Sequence, residues 1–322
     1  MVQPLTHTSR NDPSSIISDN HRRAVLRTLL YYDLFGFPLQ IDELRRYSDI
    51  HWPDPSDLDA AIDSLVERGL VEREEAWLHL GRHVLIEERM EAQARGERVM
   101  PRAIRRSRLI ARFPFVRAVA LSGTLSKGVF ARGDDVDFFV ITSPGRLWIC
   151  RVLLMSFKKI FLFNSRRTFC INYLVTEDHL EVPDHNFFTA TEIAWLAPIV
   201  NAELFEAFIK ANDWIKEFLP NWVPTTNRST TGWRHSLPAR AIETLLSGGR
   251  GDSLDERCRK LVERHNRHRY DHLEPTEFEL AMRTAKNVSK HHPRSFQARI
   301  LQRFDDRIRE FENRHNVSIN PL

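Results

Sequence analysis

The 322-residue sequence is poor in cysteine: Cys150, Cys170 and Cys258 are its only three, they are scattered, and no two form a CxxC pair. That excludes a disulfide framework and a thiolate zinc site, and makes a reducing cytoplasm the expected compartment. Also missing is a long uninterrupted apolar run. The longest such stretch, 147–163, is broken by Arg151, Lys158 and Lys159, and charges at those depths exclude a membrane span while suiting an amphipathic helix packed on protein. Residues 1–18 contain no basic segment leading into an apolar one, so they read as a flexible start rather than a signal peptide. No period of about 20 to 50 residues recurs, which excludes a repeat architecture. Nor is there a large charge excess: 47 Lys and Arg against 43 Asp and Glu leave +4, a mild balance that suits a phosphate-bearing ligand without demanding a polymer. What is present, 42% hydrophobic and 28% charged residues, is enough for two or three ordinary folded domains.

From Arg22 onward Val25, Leu26, Leu29 and Leu30 recur at helical spacing, and the pattern breaks near Gly36 and Pro38. A short helix is expected over 41–47. After Pro53 and Pro55, Ser56 is placed to cap a third helix, on which Leu58, Ala61, Ile62, Leu65 and Val66 make one apolar stripe ending at Gly69. The run 70–80 reads as two strands about a turn at Glu74 and Glu75. Three helices and a hairpin in this order resemble a winged helix-turn-helix domain, expected over 19–83. Its third helix exposes Asp57, Asp59, Asp63 and Glu67, which repel phosphate, so the resemblance implies a partner-binding or self-association module rather than a DNA reader.

The segment 84–113 is helical in pattern, is split into two helices by Pro101 and carries Arg89, Arg95, Arg98, Arg102, Arg105, Arg106, Arg108 and Arg112. This charge run reads as a solvated face, with a basic rim for a triphosphate or nucleic acid as the alternative. Residues 223–236, rich in Ser, Thr and Asn, read as a linker, and 237–322 as a C-terminal helical region with helices over 239–246, 254–269, 276–289 and 293–313. Helices are also expected over 189–201 and 203–216, where Trp195, Phe205, Phe208 and Trp214 serve as core. Three motifs are set aside: SGGRG at 247–251 as a turn between helices, His265, His268 and His272 as exposed histidines, and KHHP at 290–293 as a basic helix break.

The run that carries chemistry is 118–142, AVALSGTLSKGVFARGDDVDFFVIT. An apolar strand is followed by a turn at Ser122, Gly123 and Thr124, a loop with Ser126, Lys127 and Gly128, and a second strand starting at Asp135. Strand side chains alternate, so Asp135 and Asp137 share one face while Val136, Phe138 and Val140 take the other. Two carboxylates so placed repel each other unless something positive lies between them, and a hard divalent cation answers that need.

This run resembles the signature of the DNA polymerase beta superfamily of nucleotidyltransferases: Leu121, Gly123 and Thr124, then ten residues, then Asp135, Val136 and Asp137. Thr124 stands where that family more often has Ser or Gly, and keeps a hydroxyl. The resemblance implies an α+β fold, a small mixed-sheet core over 84–222 flanked by the winged-helix-like domain and the C-terminal helices. It implies that Ser122, Gly123, Thr124, Ser126 and Lys127 bind the nucleotide phosphates, that Asp135 and Asp137 hold Mg²⁺ or Mn²⁺, and that a nucleoside monophosphate passes from an NTP such as ATP to an acceptor with release of pyrophosphate. A small molecule or protein is the expected acceptor, with nucleic acid not favoured and no membrane involved. The family usually adds a third carboxylate on a later strand. Here that strand, 168–175, offers Asn172 as the further metal ligand, with Glu177 and Asp178 just past its end. The alternatives are a nucleotide-sensing or partner-binding protein of the same fold, and a DNA-binding regulator.

Overall fold

The computed structural model describes residues 19–163, 167–224, 236–290 and 296–319; the expected flexible start and most of the expected linker lie outside them. The fold is mixed α+β, with two sheets, and divides into two units. The first holds Met1–Ile86, Leu219–Asn221 and Arg303–Leu322, and the second Glu87–Phe218 and Trp222–Gln302.

In the first unit the elements are α1 (Asp19–Asp33), β1 (Leu39–Gln40), α2 (Ile41–Arg46), α3 (Pro55–Glu67), β2 (Glu72–Glu74) and β3 (Trp77–His79). Val25, Leu26, Leu29 and Leu30 of α1 are buried, as are Leu58, Ala61, Ile62 and Leu65 of α3, which is what helical apolar stripes do when they face a common core. The cap of α3 is Asp54 rather than Ser56, its carboxylate accepting from the Ser56 N–H at 2.8 Å; one residue of extra reach puts the acceptor over the open end of the helix. The three strands form an antiparallel sheet in the order β1-β3-β2. The chain's last residues belong with this unit: Phe304 meets the Tyr31 ring edge-on at 5.3 Å, Arg307 pairs with buried Asp33 at 2.8 Å, and Arg27 donates to the Ile319 carbonyl at 3.1 Å.

Next comes α4 (Val84–Ile110), 27 residues that run through Pro101 without a break. The two helices expected either side of that proline are therefore one. Proline removes a single N–H bond, whereas Ala103 and Ile110 are buried, with Val99, Met100 and Ile104 packed on the same core, and that continuous apolar face holds the helix together.

The second unit continues with β4 (Val116–Ser122), α5 (Gly123–Ser126), β5 (Asp137–Thr142), α6 (Leu147–Phe161), β6 (Cys170–Thr176), α7 (Phe187–Ala194), β7 (Ala197–Val200), α8 (Ala202–Ala211) and α9 (Ile215–Phe218). Then follow α10 (Leu237–Leu245), α11 (Gly248–Arg269), α12 (Pro275–Ala281), β8 (Val288–Lys290) and α13 (Phe296–His315), which from Arg303 onward belongs to the first unit. The sheet order is β7-β4-β5-β6-β8, with β5 and β6 parallel and the other pairs antiparallel. One face is the core: Val119, Leu121, Val136, Phe138, Val140, Ile171 and Leu174 pack with Trp148 and Leu154 of α6 and Ile110 of α4. The other face carries Phe139, stacked on Tyr173 at 5.7 Å and covered by Phe208 at 4.8 Å.

Several local expectations change. Residues 197–200 form an edge strand instead of continuing a helix, because a four-residue apolar run fits either periodicity and only the neighbouring β4 decides it. Similarly β8 occupies the end of the helix expected over 276–289, and Lys290 is not a surface break but a buried strand residue whose ammonium lies 3.1 Å from Asp184. Ser247 is the N-cap of α11, so Gly248 to Gly251 make its first turn. One expected helix over 203–216 is two, α8 and α9.

Candidate active site

The sheet registers bring the sequence-marked residues to one end of the second unit. Ser122, last in β4, stands opposite Asp137, first in β5, and Asp137 stands opposite Cys170, first in β6. Antiparallel then parallel pairing puts the end of one strand beside the starts of two others. β5 opens at Asp137, not Asp135, because the preceding segment turns through Gly133 at φ +94°. Val136 nevertheless keeps sheet-like bonds, its N–H donating to the Arg167 carbonyl at 3.2 Å and its carbonyl accepting from the Cys170 N–H at 3.0 Å. Val136 and Phe138 are buried while Asp135 and Asp137 are half-buried, so the alternation through this stretch is that of a strand.

Gly123 follows β4 in the left-handed region at φ +69°. A Cβ there would fall 2.5 Å from Asp137 Oδ2, so the missing side chain is what lets the carboxylate lie against the backbone. The residues expected to meet a triphosphate have partners of their own. The Thr124 hydroxyl donates to Asp134 Oδ2 at 2.7 Å, the Ser126 hydroxyl donates to the Gly123 carbonyl at 2.8 Å, and Lys127 Nζ lies 2.7 Å from Glu192 Oε1.

Asn172 lies beside Asp137 because β6 bulges there. Phe138 pairs with Ile171 and Phe139 with Tyr173, leaving Asn172 as the extra residue, and a bulge re-aims a side chain in this way. Cys170 and Asn172 both hydrogen-bond the Asp137 carboxylate, and Cys170 Sγ is 3.0 Å from Asn172 Oδ1. Glu177 and Asp178 do not join them. They follow Thr176 at the far end of β6, roughly 20 Å of strand away from Cys170, because parallel pairing starts β5 and β6 at the same end.

Glu192 is the residue that sequence reasoning missed. Leu121 pairs with Ala197 at the start of β7, so the last turn of α7, just before that strand, comes to the same end of the sheet as Ser122. No strand pattern marks this residue; the sole signal was an acid near the end of a short helix. Burial chiefly, then the charges of Asp135 and Glu192, push the Asp137 carboxyl up to about 7, against the lowering effect of the Cys170 and Asn172 bonds. Burial and the Asp137 charge likewise push the Cys170 thiol up to about 12. The end of the sheet is therefore a carboxylate-rich place whose nearby ammonium, Lys127, is matched to Glu192.

A second polar cluster lies in the first unit. Among the described residues, Glu74, His79 and His83 are the one trio of His, Cys, Asp or Glu whose ligand atoms all lie within 4.8 Å of one another. His79 Nε2 and His83 Nδ1 are 2.9 and 2.7 Å from Glu74 Oε1. His79 Nδ1 accepts from the Arg82 N–H at 3.2 Å, which leaves the ring proton on Nε2, the atom that a metal ion would need. The trio is satisfied as a hydrogen-bonded set. No helix of the described residues is long and apolar enough to cross a membrane. Compared with protein-family models, curated proteins and solved structures, the chain matches none.

Proposed function

We propose that the second unit is a metal-dependent nucleotidyltransferase core and that the first unit is a winged-helix-like module for self-association or a protein partner, working in the cytoplasm. The observation that carries this reading is Asp137: a carboxyl at the end of the sheet, facing away from the core, against a side-chain-free Gly123 and in the field of Asp135 and Glu192. Carboxylates gathered at such cost fit a hard divalent cation, which takes oxygen ligands and relieves their repulsion. Asp135 and Asp137, with the Asn172 side-chain oxygen, would hold Mg²⁺ or Mn²⁺, and the ion when bound neutralises charge on the phosphates of the NTP, such as ATP.

The chain's own groups do the rest by position and charge. Ser122 and the Gly123 backbone border the place for the triphosphate. Lys127 leaves Glu192 to meet phosphate oxygens. Glu192, freed of that pairing, is the third carboxylate and accepts the proton of an attacking hydroxyl on a small-molecule or protein acceptor, while pyrophosphate departs. The test is label transfer and pyrophosphate release from each α-labelled NTP with Mg²⁺ or Mn²⁺, a cell extract supplying acceptors. Metal-dependent transfer that vanishes in Asp135→Asn/Asp137→Asn supports the reading.

A second reading, a nucleotide-sensing or partner-binding protein, is favoured by one feature: Thr124, Ser126 and Lys127 are all bonded within the protein. It becomes the better one if none of the four nucleotides is transferred above the level of the double variant while a nucleotide still binds.

A further inference from the structure

Arg98, Arg102, Arg105, Arg106, Arg108 and Arg112 fall in a stretch with no Asp or Glu, and the next acid in the chain is Asp134. All but Arg106 are exposed. Among the described residues none of the six is in an ion pair, whereas Arg95, one turn earlier, pairs with Glu91 at 3.0 Å. By helical periodicity Arg98, Arg105 and Arg108 lie on the side of α4 opposite the one that Ala92, Ala103 and Ile110 bury, Arg102 lies on its flank, half-buried Arg106 lies nearer the core, and Arg112 follows the helix end. Positions 98 and 102, 102 and 106, and 108 and 112 are four apart; 102 and 105, and 105 and 108, are three apart. Such neighbours on a helix face repel when alike in charge. Arg108 and Arg112, at the C-terminal end, are compensated by the helix dipole. Arg98, Arg102 and Arg105 are not, although the chain has 43 acidic residues with which to pair them.

We propose that this face of α4 binds the sugar–phosphate backbone of single-stranded nucleic acid. The charges form a line about 15 Å long from 98 to 108, which matches a linear polyanion. Every cation in it is arginine, whose planar fork suits phosphate oxygens. A lipid surface fits less well, because the apolar residues among the arginines, Val99, Met100, Ile104 and Leu109, are half-buried and the stripe itself exposes no large apolar side chain to insert. The stripe holds no aromatic residue on which a base would stack, so binding is independent of sequence and steeply salt-dependent. The same helix is bonded to the segment leading to Asp135. The Phe130 N–H donates to the Ala92 carbonyl at 2.9 Å, Arg95 Nε donates to the Phe130 carbonyl at 3.0 Å, and a Cβ on Gly96 would fall 2.6 Å from the Gly128 carbonyl oxygen. The proposal does not depend on the nucleotidyl reading.

The test is fluorescence anisotropy of the full chain with fluorescein-labelled oligo-U and oligo-dT strands, across a KCl series. Affinity should fall with salt, with a log–log slope of about −0.7 for each phosphate engaged. Arg98→Gln/Arg102→Gln/Arg105→Gln should weaken binding at least tenfold and flatten the slope by about 2. Arg257→Gln/Arg264→Gln, an equally exposed pair on α11, should leave binding within about twofold, showing that the stripe and not total charge is responsible. Because the replaced side chains are exposed, circular dichroism should show the helix intact. The proposal is overturned by no binding at low salt, by equal binding in the triple variant, or by capture on phosphatidylserine vesicles or polyglutamate in preference to the oligonucleotide.

Discussion

At Asp137 the carboxyl gives up solvent, meets the charges of Asp135 and Glu192, and keeps only the Cys170 and Asn172 bonds in return. Its folded value near 7 lies above the unfolded 3.8, so its charged form opposes folding. That opposition is absent below the unfolded value, grows as pH rises, and is complete above about 7. Asp137→Asn, nearly isosteric, should therefore raise the melting temperature of the metal-free chain, and by more at pH 8 than at pH 5; equal gains at both would contradict the burial argument. Gly123 answers to sterics instead. Gly123→Ala forces a left-handed backbone at about 1–2 kcal/mol and drives a methyl into Asp137 Oδ2. Urea unfolding should show a loss of at least that size, and label transfer should fall with it.

Among the elements, α4 joins two observations that pull in opposite directions: a proline in its interior and an unbroken apolar face. Pro101 is exposed, so Pro101→Ala restores an N–H bond without disturbing the core. A gain of about 1–3 kcal/mol in unfolding free energy is expected, and a loss would mean that the proline's ring is itself packed. The bulge at Asn172 shows how an element's polar groups are placed by its neighbours. The strand pattern in TFCINYLV gives the alternation, yet it says nothing of which residue is extra, because that depends on the register against β5.

For the whole molecule, the closing of the first unit by the last segment of chain is the feature with most consequence. Phe304 on Tyr31, Arg307 on Asp33 and the Ile319 carbonyl on Arg27 join residues nearly three hundred positions apart. Asp33 is buried between Arg82 and Arg307, and removing Arg307 leaves its charge matched by Arg82 alone. Truncation after Gln302 should abolish the cooperative unfolding of the first unit, measured by the protease resistance of its N-terminal helices in the truncated chain, while a chain ending at Asn316 should keep most of it. A truncated chain as resistant as the full one would refute this.

Local structure was legible wherever a period carried it. The stripes of α1 and α3 and the face of Val136, Phe138 and Val140 follow from helical and strand periodicities, which are properties of short stretches. What only the tertiary structure decided is what depends on pairing at a distance. Glu192 reaches the site because β7 lies against β4; Glu177 does not, because β6 runs parallel to β5; 197–200 and 288–290 are strands because edges of a sheet were there to receive them. The physical reason is the same in each case: periodicity fixes which face of an element is apolar, whereas register and strand direction, set by the packed sheet, fix which polar groups meet.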